Sequence, residues 1–372
     1  MTPLAIPRVL LRQAQAVADD FAARTGVAID ATELLTGRAA LLGIAPDRQD
    51  SAGGATRLLA ALDGWCALTL SRPDDIAMIP ALLQVDSVET DSWPAIRAWA
   101  AETSVTEVAT RARLLGLPVG VLGETAPAPP LVSPLGPTRA GSLAGLLVAD
   151  LSSMWAGPLC GQLLVRAGAT VVKVESWNRP DGTRAGAPEF FDWMNGGKLS
   201  YATDFDDPRD LAALLSVADV VIEASRPAAL ARRGLGPDTV ADRPGRIWLR
   251  ITGHGSDGEK ADWVAFGDDA AVSGGLVGYR DGAPVFSGDA IADPLTGLHA
   301  AAAVAASREC GGGELIEFSM AAVAAGYRSR NSEVVDTDVV PVRPAAGPAG
   351  RELGADNEAV RRLVAERAAA PC

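Results

Sequence analysis

Histidine is scarce, with only His254 and His299 among 372 residues. A multi-histidine metal site is therefore impossible, no metal is expected, and a Ser-His-Asp triad has few candidates. The four cysteines, Cys66, Cys160, Cys310 and Cys372, lie far apart and form no CxxC pair. That spacing argues against a zinc site and against a disulfide framework, and Cys66 and Cys160 read as core thiols. Hydrophobic residues make up 48% of the chain, yet no run approaches the roughly 18 uninterrupted apolar residues of a membrane span. The N-terminus, MTPLAIPRVLLRQAQAVADD, lacks the basic start, apolar core and small-residue cleavage site of a secretory signal, so a cytoplasmic location away from the membrane is expected. Basic residues are the minority, 33 Lys and Arg against 46 Asp and Glu for a formal net charge of −13. This disfavours a nucleic-acid partner, and any anionic ligand must be held by a local cluster. No GxSxG, GxxxxGK[ST] or HExxH string occurs.

What is present exceeds the comfortable size of one core, so two domains are expected. Residues 1–123 read as a helical segment followed by a small α/β domain. Helical periodicity runs through Val9, Leu10, Val17 and Phe21, then through Leu34, Leu35, Ala39 and Leu42. Leu62-Asp63-Gly64-Trp65 forms a turn into the strand-like CALTLS, and Arg72-Pro73-Asp74-Asp75 opens a helix with acidic residues in its first turn. Further helix starts stand at Ser92-Trp93-Pro94 and Ser104-Val105-Thr106-Glu107, and Gly116 to Leu122 closes the block as a short strand. A Pro-rich linker spans 124–142.

From Gly145 the pattern becomes strand and helix in alternation: GLLVADLS, AGPLCGQLLVRAG, ATVVKVES, KLSYATDF, PRDLAALLSVA, DVVIEAS, RIWLRITGHG. Continuous apolar strands between helices predict an α/β fold for 143–327, a Rossmann-like parallel sheet with flanking helices, beside the smaller α/β domain. No GxGxxG follows the first strand, so the fold class alone predicts no NAD. Residues 328–372 read as a polar tail, with poor order expected between about 332 and 350.

The stretch Ser287 to His299, SGDAIADPLTGLH, sets Asp289 and Asp293 four residues apart at the edge of an Ala-rich helix. Asp followed by Pro is an ordinary helix start, because the Asp oxygen accepts from free first-turn amides and Pro needs no partner for its missing N–H. Spacing alone favours a structural cap.

Other strings add to this. Asp150-Leu151-Ser152 precedes Ala156-Gly157-Pro158 and Gly161; Gly168-Ala169 precedes Val172-Lys173-Val174-Glu175; Asn195-Gly196-Gly197-Lys198-Leu199-Ser200 follows. Then come Ala218-Asp219-Val220-Val221-Ile222-Glu223 with Arg226-Pro227, and Ile251-Thr252-Gly253-His254-Gly255. In this order and spacing the set resembles the family III CoA-transferases, the group that also contains the α-methylacyl-CoA racemases. The resemblance covers roughly 143–327. The N-terminal block is similar to the family's small domain, through Asp63-Gly64-Trp65 and Gly116-Leu117-Pro118-Val119, but here it precedes the large domain instead of following it. Leu353-Gly354-Ala355-Asp356-Asn357 is similar to a string near the family's C-terminus. Ser51-Ala52-Gly53-Gly54-Ala55 is the nearest candidate for the family's glycine-rich active-site loop.

The resemblance implies a nucleophilic Asp in a G-D-x-x-[TG]-G setting before a helix. Asp293 fits, with Thr296 and Gly297 at the right offsets, whereas Asp289 has Ala292 and Asp293 there. The implied chemistry is attack of the carboxylate on an acyl-CoA thioester to give an acyl-aspartyl anhydride. CoA thiolate then makes an aspartyl-CoA thioester, and an acceptor acid takes the CoA. A free Asp is ionised at neutral pH and needs no separate base. Free amides at a helix start can also steady developing negative charge, so cap and nucleophile are compatible roles. His299 faces another side of the helix and reads as structural. The racemase branch pairs a His with the Asp, but here the His position is Asp268 in Gly267-Asp268-Asp269, and a carboxylate near pKa 4 donates protons poorly unless burial raises it. Transfer therefore outranks racemisation.

For CoA, the resemblance implies a path lined by Ala156, Glu175, Lys198 and Arg226, with Lys173 and Arg184 nearby; Trp155 and Trp177 read as flanking the ligand or as core. CoA or acyl-CoA is implied as a substrate, with no permanently bound cofactor. The implied partners are a small carboxylic acid and a second copy of the chain in a homodimer; dimers of the family are interlocked. The alternatives are an acyl-CoA racemase or isomerase and a catalytically silent acyl-CoA-binding protein.

Overall fold

The computed structural model describes residues 2–226, 228–328 and 338–369. Two N-terminal helices, α1 (Arg8–Thr25) and α2 (Ala31–Leu42), lead to a three-stranded antiparallel sheet, β1 (Thr56–Ala61), β2 (Gly64–Thr69) and β3 (Val119–Val121). Helices α3 (Trp93–Ala101) and α4 (Val105–Leu114) cover this small sheet. Each starts as the sequence predicts, with Pro94 in the first turn of α3 and the Ser104 hydroxyl accepting from the Glu107 N–H in α4. Together they enclose a separate core around Leu59, Leu68, Ile96 and Val108.

The larger sheet has seven strands: β4 (Leu131–Pro134), β5 (Leu147–Asp150), β6 (Thr170–Ser176), β7 (Leu199–Thr203), β8 (Val220–Glu223), β9 (Ile247–Thr252) and β10 (Glu314–Ser319), in the order β4-β10-β9-β8-β5-β6-β7. Six run parallel; β4 pairs antiparallel with β10. The strands read as unbroken apolar runs because both faces are covered. Val148 lies in one core and Leu147 and Ala149 in the other; Val220 and Ile222 face the first core and Val221 the second. The fold is thus α/β with a Rossmann-like sheet, as expected.

Two segments differ from the expectation of loop and loose tail. The Pro-rich segment contributes strand β4, and an edge position tolerates Pro134 because its missing N–H is not needed by a second neighbour. Residues 338–350 run without helix, yet Val342 N–H donates to Thr36 Oγ1 at 2.9 Å and Gly350 N–H to Asp192 Oδ1 at 2.7 Å. Residues 332–337 lie outside the described residues. A C-terminal helix, Asn357–Ala369, follows.

Helices α5 (Ala156–Arg166), α6 (Pro188–Asn195) and α7 (Arg209–Val217) follow β5, the β6 loop and β7. A short α8 (Gly267–Ser273) comes after β9, and the long α9 (Ala292–Cys310) precedes β10. Helices α1, α2, α5 and α9 share the core on one face of the sheet. From β5 the chain moves outward to β6 and β7, then returns to place β8 on the other side of β5. That reversal is a topological switch point, where open α/β sheets bind ligands outside the carboxyl ends of their strands. Helix α5 begins there. Helix α9 crosses it closely at Gly297, where a Cβ would lie 2.5 Å from Ala156 O and 3.0 Å from Leu159 Cβ.

Gly297→Ala should therefore destabilise the protein by about 1–3 kcal/mol through overpacking, although alanine is the better helix former by about 1 kcal/mol. Urea unfolding checks this, and a midpoint at or above wild type would contradict it.

Candidate active site

The α5–α9 contact carries Asp293, in the first turn of α9, to the start of α5. The Asp293 N–H bonds Ala290 O at 2.9 Å, and its partly exposed carboxylate is stabilised by the backbone N–H groups of Ala156 and Gly267. A side chain at Gly267 would overlap both Ala290 O and Asp293 Oδ2. The positive end of α5 thus faces the carboxylate.

Three more carboxyl groups lie beside it. Asp268 accepts the Ala290 N–H at 3.0 Å. Asp269 accepts the Thr69 hydroxyl at 2.7 Å and the Phe266 N–H at 3.0 Å, leaving Oδ2 without a partner. Asp289 is fully buried and pairs with Arg38 Nη1 at 2.5 Å. The Arg38 guanidinium lies 5.6 Å from each of the Trp155 and Phe190 rings, close enough for cation–π attraction. Burial pushes the Asp293 carboxyl up to about 7, with the charge of Asp268 adding and that of Arg38 opposing. Burial and Asp289 push Asp268 up to about 7, and burial pushes Asp269 up to about 8. Asp289 is also raised by burial, against the pull of Arg38.

Backbone strain flanks the same place. Ala290 has φ 42° and Met154, two residues before Ala156, has φ 72°; left-handed conformations of non-glycine residues cost energy and persist only where neighbours enforce them. Here the enforcers are visible. Ala290 is held at its N–H by Asp268 and at its C=O by Asp293. The Met154 N–H donates to both Asp181 carboxyl oxygens at 3.2 Å, and Asp181 is fixed by buried Lys173 at 2.7 Å. The segment before β1 reaches in through the Ser51 side chain, which bonds Asp268. A Cβ on Gly53 would stand 3.3 Å from Arg38 Nη2, so Ser51 to Ala55 lies at this cluster.

The residues expected along a CoA path separate into two kinds. Ala156 presents its backbone at the cluster, and Arg226 is exposed, with no ion pair to a described residue. Lys198, however, is buried and donates to Asp150 Oδ2 at 2.8 Å, Pro158 O at 2.8 Å and Asn195 Oδ1 at 3.1 Å. All three ammonium protons are used inside the protein, so the side chain braces β5, α5 and α6. Glu175 likewise accepts from the Asp181 N–H and from Arg184. Trp155 is buried; Trp177 is 52% exposed. His299 bonds the Tyr327 hydroxyl at 2.7 Å, and His254 packs edge-on against Trp263 with burial pushing it down to about 4. Among the described residues no three His, Cys, Asp or Glu side chains are placed to hold a metal ion together.

Arg38 and Asp269 were not legible as site residues, whereas Ser51 stands in the segment singled out as the candidate glycine-rich loop. Arg38 carried one signal, a lone cation inside ELLTGRAALL, whose neighbours Gly37 and Ala39 are buried.

A model of the family described as CoA-transferase family III matches residues 143–346. A succinate–glutarate CoA-transferase of Agrobacterium fabrum is 34% identical over 193 residues, 46% of this chain and 48% of that protein. A succinyl-CoA:glutarate CoA-transferase of Mus musculus is 34% identical over 178 residues, 44% of this chain and 41% of that one. A formyl-CoA:oxalate CoA-transferase of Rhodopseudomonas palustris is 33% identical over 174 residues, 43% and 41% of the two chains. This chain thus spans less than half the length of each of these relatives. A solved CAIB/BAIF family protein from Brucella suis is 30% identical over 50% of this chain and 55% of its own, with a TM-score of 0.46.

Two outcomes follow from the geometry. Lys198→Ala strands buried Asp150 and should cost about 3–5 kcal/mol of stability; a variant as stable as wild type in thermal melts would contradict the bracing role. Asp269 is raised from about 3.9 unfolded to about 8 folded, so its contribution is complete below the unfolded value and is lost as pH rises towards 8. The stability of wild type relative to Asp269→Asn should fall between pH 5 and 8, because the histidines and the acids other than its coupled neighbour Asp268 cancel in the difference. A flat difference in chemical denaturation would contradict the burial of that carboxyl.

Proposed function

Since the chain belongs to CoA-transferase family III, we propose that it moves CoA from an acyl-CoA donor to an organic acid, with Asp293 as the nucleophile. The observation that carries this reading is the place of the Asp293 carboxylate, on a partly exposed residue at the start of α5 and stabilised by the Ala156 and Gly267 amides. Held this way the carboxylate is aimed, and in its ionised form it attacks without a separate base.

In the proposed reaction, an Asp293 oxygen bonds to the thioester carbonyl carbon, the C–S bond breaks, and CoA leaves as thiolate. The thiolate attacks the aspartyl carbonyl of the mixed anhydride, releasing the donor acid as carboxylate and leaving an aspartyl-CoA thioester. The acceptor carboxylate attacks that thioester and expels the thiolate again. Attack of thiolate on the acceptor's carbonyl then gives the new acyl-CoA and returns Asp293. Each tetrahedral stage develops negative charge beside the α5 N-terminus, where amides and the helix dipole oppose it; one such donor is typically worth about 3 kcal/mol. CoA and acyl-CoA enter as substrates, along a path past the Ala156 backbone and Arg226, with Lys198 and Glu175 bracing its wall. The reading includes a homodimer and a cytoplasmic setting. No described helix is long and apolar enough to cross a membrane.

A second reading rests on Asp268. With its carboxyl pushed up to about 7, it is substantially protonated at neutral pH and can donate as well as accept a proton. Paired with Asp293 it would exchange the α-proton of an acyl-CoA.

Incubation with acyl-CoA donors and a panel of carboxylic acids in deuterated water separates the readings. New CoA esters show transfer, α-deuteration alone shows exchange, and ligand protection without turnover shows binding. Asp293→Ala should abolish transfer with the fold retained, since it removes one charge from a crowded site. For wild type, kcat/KM should rise with pH through about 7, the value for Asp293, because only the ionised form attacks. Full transfer by Asp293→Ala would overturn the assignment.

A further inference from the structure

The family match begins at residue 143, yet the cation of the site comes from α2, more than a hundred residues earlier. Arg38 is 23% exposed, while its partner Asp289 is fully buried. Asp289 adjoins Ala290, whose left-handed backbone is tied to Asp268 on one side and to the Asp293 N–H on the other. The pair therefore anchors the turn from which α9 and its first-turn carboxylate emerge. Trp155 and Phe190 flank the guanidinium at 5.6 Å each, and Gly53 leaves room beside Nη2. Five N–H donors on a rigid plane, with one used by Asp289, keep the cation in place without neutralising it completely.

We propose that Arg38 is a positioning residue for Asp293: its ion pair with Asp289 fixes the turn Ser287 to Ile291, and its guanidinium sets a positive charge against the carboxyls gathered there. The N-terminal helical segment thereby completes a site that residues 143–346 alone leave without its cation. The catalytic consequence rests on Asp293 being the nucleophile; the effect on its ionisation does not. The charged groups bearing on Asp293 are Asp268 from α8, which opposes ionisation, and Arg38 from α2, which favours it. Asp289 opposes the ionisation of Asp268, while Arg38, the Ala290 N–H and the Ser51 hydroxyl favour it, and Asp268 acts on Asp269.

The test is carboxyl-carbon NMR of full-length protein labelled with [4-13C]aspartate, the Asp293 signal being assigned by its loss in Asp293→Asn. Arg38→Gln should raise the midpoint of that signal by about one pH unit, the low end of what loss of a nearby opposite charge produces. Arg38→Lys should stay near wild type. The acid limb of kcat/KM for transfer should move by the same amount in each variant. Removing Arg38 alone leaves buried Asp289 unpaired, so Arg38→Gln with Asp289→Asn serves if the single variant does not fold. The double variant should also raise the midpoint, because Asp293 loses the pull of Arg38, and on Asp268 the larger effect of losing Asp289 outweighs that of losing Arg38. An unchanged Asp293 midpoint in the neutral variants overturns the proposal. A shifted midpoint in a protein that transfers no CoA supports Arg38's effect on the carboxyl and refutes the transferase reading instead.

Discussion

Four carboxyl groups, Asp268, Asp269, Asp289 and Asp293, share a desolvated region with a single guanidinium, and the site's chemistry depends on how that imbalance is resolved. Only Asp289 has the cation as a direct partner. The others are raised by burial, so near neutral pH the cluster holds protons that exposed carboxyls would have released. The cost is distributed unequally. Asp269 rests on the Thr69 hydroxyl and the Phe266 amide, which ties the small sheet to α8. Asp293 rests on backbone amides and keeps contact with solvent. Asp293 shares this partial exposure with Asp268, whereas Asp269 and Asp289 are fully buried.

The scaffold behind it is rigid for an ordinary reason. Helices α5 and α9 approach at Gly297 as closely as backbone permits, and behind α5 stand two buried ion pairs, Lys198–Asp150 and Lys173–Asp181. Burial alone would raise both acids, but the lysine charges prevail and hold them below the usual carboxylate range. Such pairs contribute little net stability compared with apolar packing, and their effect is to fix geometry. Here they fix the loop that carries strained Met154 and delivers the Ala156 amide.

Much of this was legible in the sequence where the signal is local. Strands such as Leu147–Asp150 and Val220–Glu223 declare themselves as apolar runs because they are buried on both faces. Asp293 was distinguished from Asp289 by the residues that follow each, and the structure separates the two physically, one partly open and one sealed against Arg38. The rest depends on partners far apart in the chain. Arg38 and Asp289 are 251 residues apart, and no periodicity links α2 to the turn before α9. Lys198 at a strand end looked free to meet a phosphate; that Asp150, Pro158 and Asn195 consume its protons is a property of packing. Strand β4 in the Pro-rich segment is set by the open edge of β10, not by its own composition.

The central claim is that the Asp293 carboxylate becomes covalently acylated. Rapid quenching after mixing with acyl-CoA and hydroxylamine, followed by peptide mass spectrometry, tests it directly. The account predicts a hydroxamate on Asp293, formed by attack of hydroxylamine on its anhydride or thioester. A hydroxamate on Asp268 or Asp289 instead, or turnover with no modified aspartate at all, would contradict it.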